Sequence, residues 1–178
     1  IERDGVAIGR TVQKQYVDHT SIGSVTYRVR GCYDESDNYG VSNSDTVEVL
    51  PETNMICDLE TGIWLEMRLS ETQLRTNRTS RAATISTVHL SGLAYPVAER
   101  TEFRDMAMQI SCAFTAKNRA AALALEALVG RLVCAKTTQG DMVMGYLTAL
   151  EKNADAIMSR YSFEIQNIHR EEAITLDP

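Results

Sequence analysis

The chain is poor in the features on which enzymes, membrane proteins and nucleic-acid clamps are built. It holds three histidines, one tryptophan and three prolines, and aromatic residues make up 6% of the total. His19, His89 and His169 stand apart, with no H-x-x-x-H or H-E-x-x-H partner, so the spacing used by metal and acid–base sites is missing. There is no G-x-S-x-G, no G-x-x-x-x-G-K-[ST] and no G-x-G-x-x-G after a strand, which leaves nucleophilic catalysis, phosphate cradling and dinucleotide binding without support. The expectation is a protein that is not an enzyme and takes no cofactor or metal. No apolar run nears the roughly 18 residues of a membrane span, and no charged, apolar, small-residue leader opens the chain, so no membrane partner is expected. Ile1 enters in the middle of a pattern, and further residues are expected upstream of it.

Positive charge is scarce as well. The 18 Lys and Arg against 24 Asp and Glu give a net charge of −6 and a pI near 5.1, and the acids are spread along the chain. A nucleic-acid partner asks for a basic face and a higher pI, so none is expected. The four cysteines, Cys32, Cys57, Cys112 and Cys134, form no C-x-x-C pair and no dense framework of the kind found in small secreted domains. They read as mostly buried thiols. Whether Cys112 and Cys134 pair is left open, because a bridge needs a Cα separation that sequence does not supply.

What the chain does have is 44% apolar residues, enough for a packed core, arranged mostly with a period of two. Residues 1–51 read as short strands and turns. Asp4-Gly5 is tight-turn chemistry, Tyr16–Asp18, Val25–Val29 and Thr46–Leu50 read as strands, and Asp34–Gly40 reads as a solvated loop whose oxygen donors lack calcium-loop spacing. Pro51–Asn54 is the expected boundary. From Met55 onward, Ile63–Leu69 alternates, Ser70–Arg81 loses all periodicity, Ala83–Leu90 resumes a strand, and Met106, Met108, Ile110, Cys112 and Phe114 mark a long strand with one buried face. A helix at about 118–130 follows, with Lys117-Asn118 as a polar start, Gly130 as its stop, and Ala121, Ala122, Leu125, Leu128 and Val129 as its apolar stripe. Leu123 falls outside that stripe. A hairpin across Thr137–Asp141 and a last strand from Ala156 to His169 complete the pattern, with Ile157, Tyr161, Phe163 and Ile165 on the inner face. The fold expected is therefore mainly β with one helix, a β-sandwich or split barrel packed by that single helix.

The stretch Ser70–Arg81 is the main polar anomaly. A long aperiodic segment in a compact domain is commonly functional or disordered, and this one fits equally a solvated loop or an arm that orders on a neighbouring subunit, in which case Arg75, Arg78 and Arg81 are the expected contacts. Phosphate contact ranks third, since aromatic interleaving is missing. Leu123 is the second expected contact. Asn77-Arg78-Thr79 matches the N-glycosylation triplet, a pattern that arises often by chance.

Two resemblances rest on these residues. Residues 1–51, with Tyr-x-Val-x-Gly at Tyr27–Gly31 and a closing strand at Asp45–Val49, resemble the C-terminal part of a fibronectin type III domain, a partial sandwich whose remaining strands are expected upstream. Residues 55–175 resemble the C-terminal module of minor tail and distal tail proteins of long-tailed bacteriophages. This second likeness is carried by Leu90-Ser91-Gly92, Tyr95-Pro96-Val97, the Asn118–Leu128 helix, Arg131-Leu132-Val133, Gln139-Gly140-Asp141, Gly145 and Arg160–Ile165.

The second resemblance implies a tail-tube-like fold and a structural role at a phage tail tip or baseplate. It further implies ring-type homo-oligomerisation, other tail proteins as partners, and residence in the virion after assembly in the host cytoplasm. The alternative is an adhesion protein binding the bacterial surface or its carbohydrates, for which Tyr33, Tyr39 or Trp64 would have to form an exposed platform.

Overall fold

The computed structural model describes residues 1–32, 39–67, 78–88, 97–155 and 157–168. Its first sheet begins with the expected tight turn. Strands β1 (Glu2–Arg3) and β2 (Val6–Ala7) are joined by Asp4 at φ 50° and Gly5 at φ 84°, the doubly left-handed geometry of a two-residue hairpin. Strand β3 (Gly23–Arg28) lies beside β1. Strands β4 (Arg30–Cys32) and β5 (Tyr39–Val41) form a separate ribbon, and β6 (Asp45–Val49) closes the first sheet in the order β2-β1-β3-β6. Tyr16–Asp18, expected as a strand, is irregular backbone. Its Asp18 carboxylate ties it down instead, accepting from Arg3, the Thr20 amide and hydroxyl, and the Tyr27 hydroxyl.

The rest of the chain builds two four-stranded antiparallel sheets. Strands β7 (Met55–Asp58) and β8 (Ile63–Glu66) come first, then β9 (Arg78–Val88) and β10 (Val97–Thr115). The single α-helix among the described residues, α1 (Arg119–Glu126), precedes β11 (Leu132–Lys136), β12 (Met142–Tyr146), β13 (Glu151–Ala154) and β14 (Met158–Gln166). One sheet has the order β13-β14-β10-β9 and the other β12-β11-β7-β8. The chain is thus mainly β, a sandwich packed by one helix.

Alternation sets which face meets which. In β10 the residues Met108, Ile110, Cys112 and Phe114 are buried, and the register Ile110↔Phe163 and Cys112↔Tyr161 puts the inward side chains of β14 on the same face. Opposite them stand Ile56, Val133, Ala135 and Val143, and α1 adds Ala122, Leu125 and Leu128 to the same apolar cluster. Phe114 and Tyr161 meet edge to face with ring centroids 5.8 Å apart. The sheets also join at one corner. Ile168 donates to the Met144 carbonyl at 2.8 Å, and the Met144 amide donates to Asn167 Oδ1 at 3.1 Å. Gly145 permits that crossing, because any side chain there would run into the Gln166 carbonyl.

Several expectations are corrected. Arg78–Ala82 is not loop but the start of β9, paired with Gln109–Asp105. An edge strand with one wet side tolerates polar residues, so the apolar signal began only at Ala83. The helix is shorter than 118–130, ending at Glu126, and Asn118 makes no side-chain capping bond. Beyond Glu126 the turn tightens, with Leu128 donating to Leu125 at 3.1 Å, and Gly130 at φ 86° reverses the chain. Val129 therefore leaves the apolar stripe and is exposed. Ile157, expected on the inner face of the last strand, precedes β14 and is 72% exposed. Cys57, Cys112 and Cys134 are buried thiols, and Cys134 lies across from Cys57 rather than Cys112.

Candidate interaction surfaces

Strand β9 is the outermost strand of its sheet, and among the described residues no strand pairs with its outer side. The inner partner, β10, is much longer than its other neighbour allows. It pairs with β14 only from Ala107 to Thr115, whereas β9 follows it back to Val97. Residues 82–88 and 97–105 thus continue past the third strand as a two-stranded ribbon, with a register shift between Arg100 and Arg104. At about 3.3 Å per residue a strand of this length spans about 60 Å. A ribbon of two strands is marginal by itself, and an open edge presents unpaired amides and carbonyls to any third strand.

The expected contact residues distribute unevenly over this surface. Arg78 and Arg81 both lie on β9, but at odd spacing, so they occupy opposite faces and form no common row. Arg81 is tied to its own chain. Its Nη2 donates to Asp141 Oδ1 at 3.1 Å, and the Thr79 hydroxyl donates to Asp141 Oδ2 at 3.1 Å. These bonds lace β9 to the turn between β11 and β12, in the opposite sheet. Leu123 is 53% exposed, and Ala120, Ala124 and Ala127 are exposed on the same stretch of chain, giving the helix an apolar outer side. Arg75 lies outside the described residues, as does most of Ser70–Arg81.

A second surface is internal and was not foreseen. The sheet β12-β11-β7-β8 buries one face in the sandwich, while Trp64, Cys57 and Cys134 stand in one row on its other face, with Lys136 on the next row. His19 lies over that face. Trp64 Nε1–H donates to His19 Nδ1 at 3.0 Å, the two rings lie 6.0 Å apart, and the Lys136 ammonium sits 4.8 Å from the centre of the indole. Lys136 and Ser21 are buried. Burial pushes the Lys136 amine below its ordinary value. Asp18 behaves differently: burial raises its carboxyl, but the Thr20 amide, the Tyr27 and Thr20 hydroxyls and Arg3 together hold it below the usual carboxylate value. The signal in the sequence was the lone tryptophan on the side of an alternating strand that faces away from Leu65.

Two polar clusters fasten the remaining elements. The buried Tyr161 donates to Glu126 Oε1 at 2.6 Å, and Lys152 donates to the same oxygen at 2.7 Å, so α1, β13 and β14 are joined at one carboxylate. The Lys152 bond, with that of Tyr161, lowers the Glu126 carboxyl. At the β7–β8 turn, burial raises Asp58, yet the Glu60 amide, the Thr61 hydroxyl and Arg131 at 2.8 Å hold it low overall. Each of these groups is spent on fastening, and among the described residues no group of three His, Cys, Asp or Glu side chains could hold a metal ion. No described helix is long and apolar enough to cross a membrane.

No protein-family model matches the chain, and no curated protein does. Among solved structures, a chain in the tail of an empty gene transfer agent particle with C6 symmetry is similar at 15% identity and a TM-score of 0.43, covering 66% of this chain and 92% of that one. A chain in the virion of a native gene transfer agent particle is similar at 12% identity and a TM-score of 0.40, covering 67% of this chain and 97% of that one.

Proposed function

We propose that the chain is a structural subunit of a bacteriophage-type tail tip or baseplate and acts by ring-type oligomerisation. The observation that carries this reading is the open edge of β9 together with the ribbon that outruns its sheet. A second copy adding a strand to that edge pairs its exposed backbone groups and supplies the third strand that the ribbon lacks. The hydrogen bonds of the described polar side chains favour the same role, since several of them join separate elements, as Arg81 with Asp141 and Lys152 with Glu126 do. In this reading the partners are further copies of the chain and other tail proteins, and the location is the virion, assembled in the host cytoplasm, where thiols such as Cys57, Cys112 and Cys134 stay reduced.

Residues 1–51 act here as the closing part of a fibronectin-like sandwich. Val25 is buried, but Val47, directly across from it and on the same face, is exposed, as are Val6, Val29, Val41 and Leu50. A face half covered in this way fits further strands from the same protein or a tail partner. The adhesion reading is weaker. Trp64 is engaged by His19 and Lys136 and offers no open platform, while Tyr33 and the Tyr39 side chain lie outside the described residues.

Electron microscopy of the purified, concentrated protein tests the proposal. Closed rings of uniform subunit number are expected. Isolated monomers at every concentration, alone and with candidate tail partners, would contradict it.

A further inference from the structure

We infer that His19 is an acid-sensitive latch that holds the N-terminal sheet on the outer face of β12-β11-β7-β8. The bond at its centre fixes the state of the imidazole. Indole nitrogen only donates, so a Trp64 Nε1–H aimed at His19 Nδ1 at 3.0 Å requires that nitrogen to be bare, with the ring proton on Nε2. When His19 takes up a second proton, Nδ1 becomes a donor facing a donor, and the bond is lost. Rotation offers no simple escape, because the ring is packed against the β7–β8 turn: a Cβ on Gly62 would stand 2.9 Å from His19 Nε2. Gly62 also holds φ 70°, so the turn is built with no side chain at the point where the imidazole rests.

The surroundings increase the effect of the added charge. From β11 comes the buried Lys136 ammonium, already over the same indole, and from β1 comes Arg3. Glu66 shares the outer face of β8 with Trp64, and Glu60 lies in the turn beside Gly62. Asp18, next in sequence, has its carboxylate occupied by Arg3, Thr20 and Tyr27. Cys57 and Cys134 face the same layer, and burial pushes the Cys57 thiol up to about 11. A charged His19 therefore arrives beside the cation over the same indole, with the adjoining Asp18 carboxylate already committed. Release of the latch frees residues 1–21 from the sheet and opens Cys57 and Cys134 to solvent, while Cys112, inside the sandwich, stays covered.

The experiment is a pH titration from 8 to 5, the interval in which histidine side chains gain a proton. Labelling of individual cysteines by 4,4′-dithiodipyridine reads the opening; the thiol sulfur forms a mixed disulfide and a thiopyridone leaves. The single tryptophan reports the same site by fluorescence. In the wild type, labelling of Cys57 and Cys134 at pH 5 rises about tenfold relative to Cys112, the factor expected when one net hydrogen bond is lost. His19→Asn keeps an acceptor and cannot be protonated in this range, so its labelling ratio and fluorescence stay flat. Trp64→Phe keeps a ring without the donor and guards against a misfolded first variant; its labelling ratio is already high at pH 8 and changes little in acid. An acid transition of equal size in His19→Asn would assign the opening to carboxylates and overturn the inference, as would a wild-type ratio that does not change with pH.

Discussion

The two faces of the sheet β12-β11-β7-β8 are buried by different means. On the inner face Ile56, Val133, Ala135 and Val143 meet Met108, Ile110, Phe163 and Ile165 in a dry, apolar contact. On the outer face Trp64 lies under His19 in the same layer as Cys57, Cys134 and Lys136, and the contact includes a directional bond and a cation over a ring. Apolar burial is non-directional and spread over many atoms, so its loss is felt across the whole sandwich. A contact made by a few oriented groups opens locally. One sheet thus serves as a core wall on one side and as a detachable seat on the other.

The largest expected effect comes from the inner face. Ile56→Ala is fully buried in the wild type and is expected to destabilise the sandwich by about 2–5 kcal/mol, seen as a lower denaturant midpoint for the whole unit. Trp64→Ala is the matching test of the outer face. Amide exchange is expected to rise in β1 and β3 while β10 and β14 keep their protection; equal loss in all four strands would break the distinction between the faces.

Asp58 stands at the end of the same sheet and should act between these extremes. Asp58→Ala removes the acceptor of the Glu60 amide and the Thr61 hydroxyl, leaves Arg131 only Glu60 at 3.7 Å, and is expected to cost about 1–3 kcal/mol. Its pH dependence has a definite sign. The folded carboxyl titrates below its ordinary value near 3.8, so its contribution is complete above that pH and is lost as pH falls through the lower folded value. Denaturation of wild type and variant between pH 7 and pH 2 should therefore converge at the acid end. The smallest effect belongs to Arg81→Ala. Its own side chain is 72% exposed, and a change within about 0.5 kcal/mol is expected in thermal melts.

The inner face was legible in the sequence because alternation is a strong signal when one side of a strand is dry. Met108 to Phe114 and Tyr161 to Ile165 fell where that period placed them, and Asp4-Gly5 and Gly130 marked real turns. Strand β9 was only half legible. Arg78–Ala82 lies on an edge, where water satisfies polar side chains, and no period of two survives in its composition. Strand β13 was missed for a similar reason, since Glu151 to Ala154 are all exposed. Of the outer face the sequence carried one mark, the lone tryptophan on the side of its strand away from Leu65. His19 and Trp64 are 45 residues apart, and no local pattern announces that an irregular segment will lie across a strand. Of the expected contacts, Arg78 and Leu123 are exposed, whereas Arg81 is held by Asp141.

The central claim concerns the edge of β9, and the molar mass of the protein in solution tests it most directly. Ser80 and Ala82 are exposed on that strand, and lysines there would place charge along an edge that a second copy must approach. Light scattering after size-exclusion chromatography should give a closed multiple of the 19.8 kDa chain for the wild type, and the monomer, with unchanged circular dichroism, for Ser80→Lys combined with Ala82→Lys. A wild type that is monomeric at all concentrations, or an assembly whose mass the two lysines leave unchanged, would contradict the account.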